Sequence, residues 1–253
     1  MKCQLCPIVS REEISGDILS LRVLCPEISA EAVPGQFAHI GVPGFSLRRP
    51  ISLCEIDREK GELRLVLQAR GEGTRALFAL KEGDSLDLLA PLGHGFTLLS
   101  KESHAAVVGG GIGVPPLYEL ARYYGNNCNA ILGFRCQQQM LLDTDFAACC
   151  DTIVCTDDGS WGVPGTVLPA VEALLQGCRL DILYACGPKP MLQAVRDLAV
   201  FYGVRCELSL EERMACGVGA CLGCAVRIRR EGQEEYLHVC KDGPVFNGAD
   251  VVF

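Results

Sequence analysis

Through the first hundred residues, hydrophobic and polar positions change places over short runs. Leu19-Ser20-Leu21-Arg22-Val23, Phe37-Ala38-His39-Ile40 and Leu63-Arg64-Leu65-Val66-Leu67 each carry the near-two period of a half-buried strand. Turn residues separate them at Pro34-Gly35, Pro43-Gly44, Glu82-Gly83-Asp84 and Pro91-Leu92-Gly93. Several short strands at this spacing predict a barrel or a sandwich. Near residue 105 the pattern changes. Ala105 to Val108 is a continuous apolar run, followed by glycines and a helical stretch from Leu117 to Tyr124. Ala130 to Phe134, Thr152 to Thr156 and Ile182 to Ala185 repeat the buried-strand signal, with helical patterns over Val167 to Leu175 and Met191 to Tyr202. Strands alternating with helices predict a parallel sheet covered by helices.

From about Glu211 the chain is rich in Cys and Gly and too short to build a core from side chains alone, so a metal or a staple is expected there. The predicted division is 1–102, β-rich; 103–210, α/β; and 211–253, a small terminal unit.

Composition narrows the class. Of 253 residues, 49% are hydrophobic and 21% charged, which suits a folded core and argues against disorder. A net charge of −8 gives no general attraction to nucleic acid or anionic lipid. No apolar run reaches the length of a membrane span and the N-terminus has no long apolar h-region, so neither a membrane anchor nor a signal peptide is expected, and the expected location is the cytoplasm. The 16 cysteines then belong to a reducing compartment. Cys149, Cys150, Cys155, Cys178 and Cys206 stand in apolar surroundings and are read as small buried hydrophobes. Cys3 and Cys6 are half the count of a metal site, with no second pair nearby. His39, His94, His104 and His238 show no ligand spacing and are read as ordinary. Trp161 is either a cover for a ligand or a plain loop aromatic.

One group of cysteines has a regular spacing. Cys216, Cys221 and Cys224 form C-x4-C-x2-C, and Cys240 follows after 15 intervening residues. This is the spacing of plant-type 2Fe–2S ferredoxins, although their gap to the fourth cysteine is usually longer. Two bridged irons need four converging thiolates; a tight loop supplies three, and a separate segment supplies the fourth. Gly217, Gly219 and Gly223 allow left-handed turns and bring backbone amides to the sulfurs. A zinc site or two disulfides are the alternatives, but zinc sites usually use two C-x2-C pairs and only one is present.

Two further motifs concern nucleotides. Gly111, Gly113 and Pro116 form G-x-G-x-x-P between a predicted strand and a predicted helix, the context of a phosphate-cradling loop. Pro116 suits the first helical turn. Asp157-Asp158-Gly159-Ser160 and Cys186-Gly187-Pro188-Lys189-Pro190-Met191 each follow a later strand. The acidic residue usual after the second strand is absent, and Arg135 stands there instead, which leaves the choice between NAD and NADP open.

Arg49-Pro50-Ile51-Ser52 resembles the R-x-x-[ST] flavin signature of the ferredoxin–NADP reductase superfamily, with Ile51 where many members have Tyr. The resemblance extends to Val66-Leu67-Gln68, to Gly73-Thr74 and to the C-G-P-x-x-M pattern beginning at Cys186. It implies an antiparallel barrel that binds FAD through Arg49, Pro50, Ile51, Ser52, Val66, Leu67, Gln68, Gly73 and Thr74. It also implies a nicotinamide half using Gly111, Gly113, Pro116, Asp158, Cys186, Gly187 and Pro188, with Cys186 positional rather than nucleophilic.

The order of motifs, and the run from Glu212 to Cys224 followed by Cys240-Lys241-Asp242-Gly243-Pro244-Val245-Phe246, is similar to the electron-transfer subunits of type B dihydroorotate dehydrogenases over nearly the whole chain. That resemblance implies an oxidoreductase subunit with a C-terminal 2Fe–2S domain held by Cys216, Cys221, Cys224 and Cys240. Its partner would be an FMN-containing catalytic subunit, in a heterotetramer of two of each. Electrons from dihydroorotate would pass through the cluster and FAD to NAD⁺, as a step of pyrimidine biosynthesis. The chain itself would have no dihydroorotate site and no catalytic base, and neither nucleic acid nor a membrane would be a partner. The alternatives are the corresponding subunit of an NAD(P)H–ferredoxin oxidoreductase or cytosolic hydrogenase, and a redox-inactive, zinc-stabilised binding module.

Overall fold

A computed structural model describes all 253 residues. They form two compact units. The first comprises Met1–Gly95, Glu211–Val226 and Leu237–Pro244; the second comprises Phe96–Leu210, Arg227–Tyr236 and Val245–Phe253. Residues from 211 onward contribute to both units.

The first unit is built on a closed barrel. Its strands are β1 (Lys2–Ser15), β2 (Ile18–Leu24), β3 (Phe37–Gly41), β4 (Arg49–Asp57), β5 (Glu62–Gln68) and β6 (Ser85–Leu92), in the order β1-β2-β5-β4-β3-β6. Every pairing is antiparallel, and β6 returns to β1. The alternation read from the sequence becomes an inner face of Leu19, Leu21, Val23, Ile40, Leu53, Leu63, Leu65 and Leu67. A short helix α1 (Pro26–Glu31), opened by Pro26, and a second, α2 (Glu72–Phe78), contribute Ile28 and Leu77 to the same core. β1 escapes the periodic reading because Cys6 and Ile8 are its only fully buried residues.

The second unit is a seven-stranded sheet with helices. Along the chain come β7 (Ala105–Gly110), α3 (Tyr118–Tyr124), β8 (Cys128–Phe134), α4 (Asp143–Ala147), β9 (Asp151–Thr156), β10 (Val163–Pro164), α5 (Leu168–Gly177), β11 (Ile182–Cys186), α6 (Lys189–Phe201) and β12 (Cys206–Ser209). After a hairpin of β13 (Ala225–Arg230) and β14 (Gln233–His238), β15 (Val245–Asn247) joins the sheet. The order is β10-β9-β8-β7-β11-β12-β15, parallel except for the antiparallel β12–β15 pair. β7, β8 and β11 are apolar almost throughout because both faces are covered. The hairpin turns at Glu231 and Gly232, both at positive φ, as a two-residue turn requires.

Pro115 and Pro116 open a 3-10 turn that runs directly into α3. Two sequence expectations, both on cysteines, need correction. Cys178 is exposed and Cys149 only half-buried, whereas Cys150, Cys155 and Cys206 are buried. Cys178 directly follows α5, where apolar neighbours in sequence do not ensure burial in space. No helix is long and apolar enough to cross a membrane.

Candidate functional site

In the first unit, Arg49 opens β4 and lies against the first turn of α2. A Cβ built on Gly73 would stand 2.3 Å from Arg49 Nε, so only glycine lets the guanidinium lie there. Phe45 stacks on the other side, with the guanidinium carbon 5.3 Å from the ring centre. Arg49 Nη1 donates to the Leu47 and Arg48 carbonyls, which leaves part of its donor fork for a phosphate. At the start of α2, Thr74 Oγ1 accepts from Gly71 N–H at 3.0 Å, so this hydroxyl serves the local helix cap.

Along β4, Ile51 packs on the barrel core, while Pro50 pairs with His39 and Ser52 with Phe37 in register. On β5, Leu67 belongs to the barrel core and pairs with Leu19 of β2. Val66 is buried but lies outside that core cluster. Gln68 is fixed between Asp17, to which it donates at 2.7 Å, and Arg70, from which it accepts at 2.7 Å. An Arg poised over a glycine helix start, beside a strand end with ordered polar groups, fits a dinucleotide's pyrophosphate and ring.

The same unit holds the cysteine loop. Gly217 and Gly219 take φ of +72° and +80°, which turns the backbone amides inward. Cys216 Sγ accepts from Val218, Ala220 and Cys221 N–H at 3.3–3.4 Å, and Cys240 Sγ accepts from Gly219 N–H at 3.1 Å. These amides, that of Val218 foremost, hold the Cys216 thiol down at about 6. Cys240 is pushed up to about 12 by burial and by Cys224, whose sulfur is 3.3 Å away.

The thiols therefore meet as two pairs, Cys216 with Cys221 and Cys224 with Cys240. A two-iron centre takes one pair per iron. A single zinc needs its four ligands around one point, which two separate thiol pairs suit less well. All 16 cysteines are free thiols, so the disulfide alternative has no support either. The donor set fits a 2Fe–2S cluster. The inward amides were expected from the glycines, but their individual partners were not legible in the sequence.

In the second unit, the loops after β7 and β11 lie side by side, because these strands are adjacent and parallel, with Cys186 paired to Gly109. The chain runs from β7 outward through β8 and β9 on one side, then returns to place β11 on the other. Such a reversal point is where open α/β sheets bind ligands. Close packing shapes it. A Cβ on Gly113 would stand 2.5 Å from the Cys186 carbonyl oxygen, and one on Gly110 would stand 2.7 Å from Met191 Sδ. Gly111, at φ +54°, has open space in front of it.

Cys186 is buried, with Gly187 half-buried and Pro188 exposed. Asp158 is exposed on the β9 loop, where its carboxylate accepts from Ser160 N–H at 2.9 Å; its bonds with Ser160 hold it below the usual carboxylate range. Trp161 is half exposed and tied through its backbone to Thr156 Oγ1. Gly110 and Met191 are part of this geometry that the spacing of Gly111 and Gly113 alone does not reveal.

Comparison with known proteins gives three findings. Residues 211–252 match the model of the iron–sulfur cluster binding domain of dihydroorotate dehydrogenase B. The chain is 44% identical over 254 aligned positions to the dihydroorotate dehydrogenase B (NAD(+)) electron transfer subunit of Geobacillus thermodenitrificans, covering 97% of this chain and 96% of that one. Its identity to the subunit of the same name from Geobacillus kaustophilus is 46% over 228 positions, covering 87% and 86%. Among solved structures, that of an NADH-dependent reduced ferredoxin–NADP oxidoreductase, described for flavin-based electron bifurcation, superposes with a TM-score of 0.87 at 32% identity, covering 98% of this chain and 90% of that one.

Proposed function

We propose that this chain, which belongs to the family of dihydroorotate dehydrogenase B (NAD(+)) electron transfer subunits, links a separate catalytic subunit to NAD⁺. The observation that carries this reading is the union, in one compact unit, of the Arg49–Ser52 strand and the four-cysteine loop. Bound FAD converts between the single electrons a 2Fe–2S cluster carries and the hydride nicotinamide requires.

The residues divide the work. Cys216, Cys221, Cys224 and Cys240 hold the cluster, and the amides of residues 218–221 offset its negative charge. Arg49 and Gly73 would hold the FAD pyrophosphate, Pro50, Ile51, Ser52 and the β5 segment Val66-Leu67-Gln68 would hold the flavin portion, and Thr74 shapes the helix start. Gly111, Gly113 and Pro116 cradle the nicotinamide dinucleotide, with Asp158, Cys186, Gly187 and Pro188 on the same carboxyl edge of the sheet. Dihydroorotate oxidation belongs to the partner, an FMN-bearing subunit, in a cytoplasmic heterotetramer.

Co-purification with that partner tests the reading. The expected result is dihydroorotate-dependent NAD⁺ reduction that needs both subunits. A complex with full iron and FAD that forms no NADH would overturn it. A second reading, an NAD(P)H–ferredoxin oxidoreductase subunit, draws on the 32% identity to the oxidoreductase above. It predicts NADH-dependent ferredoxin reduction without the dihydroorotate-oxidising partner.

A further inference from the structure

His39 sits in the middle of β3, and its ring lies outside the barrel. Its neighbours Ala38 and Ile40 belong to the barrel core and His39 does not, yet it is fully buried. The cysteine loop supplies cover. A Cβ built on Gly217 would stand 2.4 Å from His39 Nδ1 and 3.0 Å from Cε1, so the loop crosses the ring only because residue 217 is glycine. On the strand side, His39 is the register partner of Pro50 in the flavin signature. Its carbonyl accepts from Arg48 Nη1 at 3.1 Å, which pins the backbone at this point.

The ring itself is unsatisfied. Neither Nδ1 nor Nε2 makes a hydrogen bond of good geometry, although the backbone of Arg48 and Cys216 comes close enough to favour the protonated ring. A histidine ring carries at least one N–H in either protonation state, so a donor is always buried here. Folded proteins rarely bury a donor without a partner. Here the group sits beneath a loop whose ligands are sulfurs.

We infer that His39 is a positioning residue for the iron–sulfur centre: its ring spaces the cysteine loop from the flavin strand and donates its N–H to a sulfur of that centre. The inference rests on Cys216, Cys221, Cys224 and Cys240 being the cluster ligands. A hydrogen bond to a cluster sulfur stabilises the added electron and raises the reduction potential.

The test uses the whole FAD- and iron-loaded protein with ¹⁵N-labelled histidine, reduced and measured by pulsed EPR. A weak histidine nitrogen coupling to the reduced cluster is expected. It should disappear in His39→Phe and persist in His238→Gln, the substitution of the other histidine beside a ligand segment. The cluster of His39→Phe should titrate at lower potential than wild type, with His39→Gln, which keeps an N–H, falling between them. A clear cluster signal with no histidine coupling in wild type overturns the inference, and that measurement needs no variant to fold. An equal potential in an iron-replete His39→Phe overturns it as well. A wild-type protein with no iron–sulfur signal at all would instead overturn the ligand assignment beneath it.

Discussion

The cysteine loop and the loops after β7 and β11 both depend on glycine, for opposite reasons. In the cysteine loop, Gly217 and Gly219 are needed for positive φ, which swings amides toward Cys216 and Cys240 while Val218, Cys221 and Leu222 stay at the surface. Around β7 and β11, Gly110 and Gly113 are needed for closeness, because backbone and side chains of the neighbouring loop occupy the space a Cβ would take. The first loop gathers thiols and backbone amides into one donor set. The second draws its shape from packing. Damage to the first should therefore remove one group and spare the rest of the protein; damage to the second should distort a surface.

Substitution of a ligand gives the largest effect. Cys221→Ser is expected to reduce electron exchange with the catalytic subunit to background while leaving NADH-to-dye activity at the flavin. Stopped-flow reduction of each group checks this, and equal loss of both activities would break the contrast. Gly113→Ala should do the reverse. Overlap with the Cys186 carbonyl at 2.5 Å forces a shift costing about 1–3 kcal/mol, so NADH-to-dye kcat/KM should fall roughly 10- to 100-fold. Iron content should not change, and iron loss in this variant would show that the two loops are not independent.

Arg49→Ala removes a charge-assisted contact worth roughly 1.5–3 kcal/mol, which should weaken FAD binding by about one to two orders of magnitude. Fluorescence of released flavin after dilution measures it, and unchanged occupancy would refute the pyrophosphate role. The smallest effect is expected for Thr74→Ala, which takes the side-chain acceptor from Gly71 N–H. A loss of about 1 kcal/mol at this cap should lower Tm by roughly 2–4 °C and raise FAD dissociation only slightly. A large fall in FAD affinity would mean that the hydroxyl contacts the cofactor directly.

Much of this was legible in the chain because its chemistry is local. C-x4-C-x2-C and G-x-G-x-x-P each describe a single loop, and alternation at Leu19–Val23 or Leu63–Leu67 is a property of one strand. What the chain conceals is long-range. β15 adds to β12 across the whole tail, so Val245–Asn247 reads as a loop end until its partner is known. β12 itself is four residues long, below what periodicity resolves. His39 reads as an ordinary histidine because nothing in its neighbourhood of sequence announces Gly217, 178 positions away. The available hint was weaker: a histidine alternating with Ala38 and Ile40 on a strand points out of the barrel, where burial would require a cover.

The strands also constrain how this protein recognises another. The barrel closes on itself, with unpaired ladder only between Arg49–Ser52 of β4 and Val66–Gln68 of β5 and along the start of β1. The sheet of the second unit ends in β10, two residues long and finished by Pro164, and in β15, three residues long. The remaining free border is β14, where Glu234 and Glu235 pair with Arg227, Arg229 and Arg230 of β13. Short, proline-stopped or charge-laced borders discourage the adhesion of a foreign strand. Strand addition is thus disfavoured at these sheet borders, and a change of partner would be sought first in surface side chains.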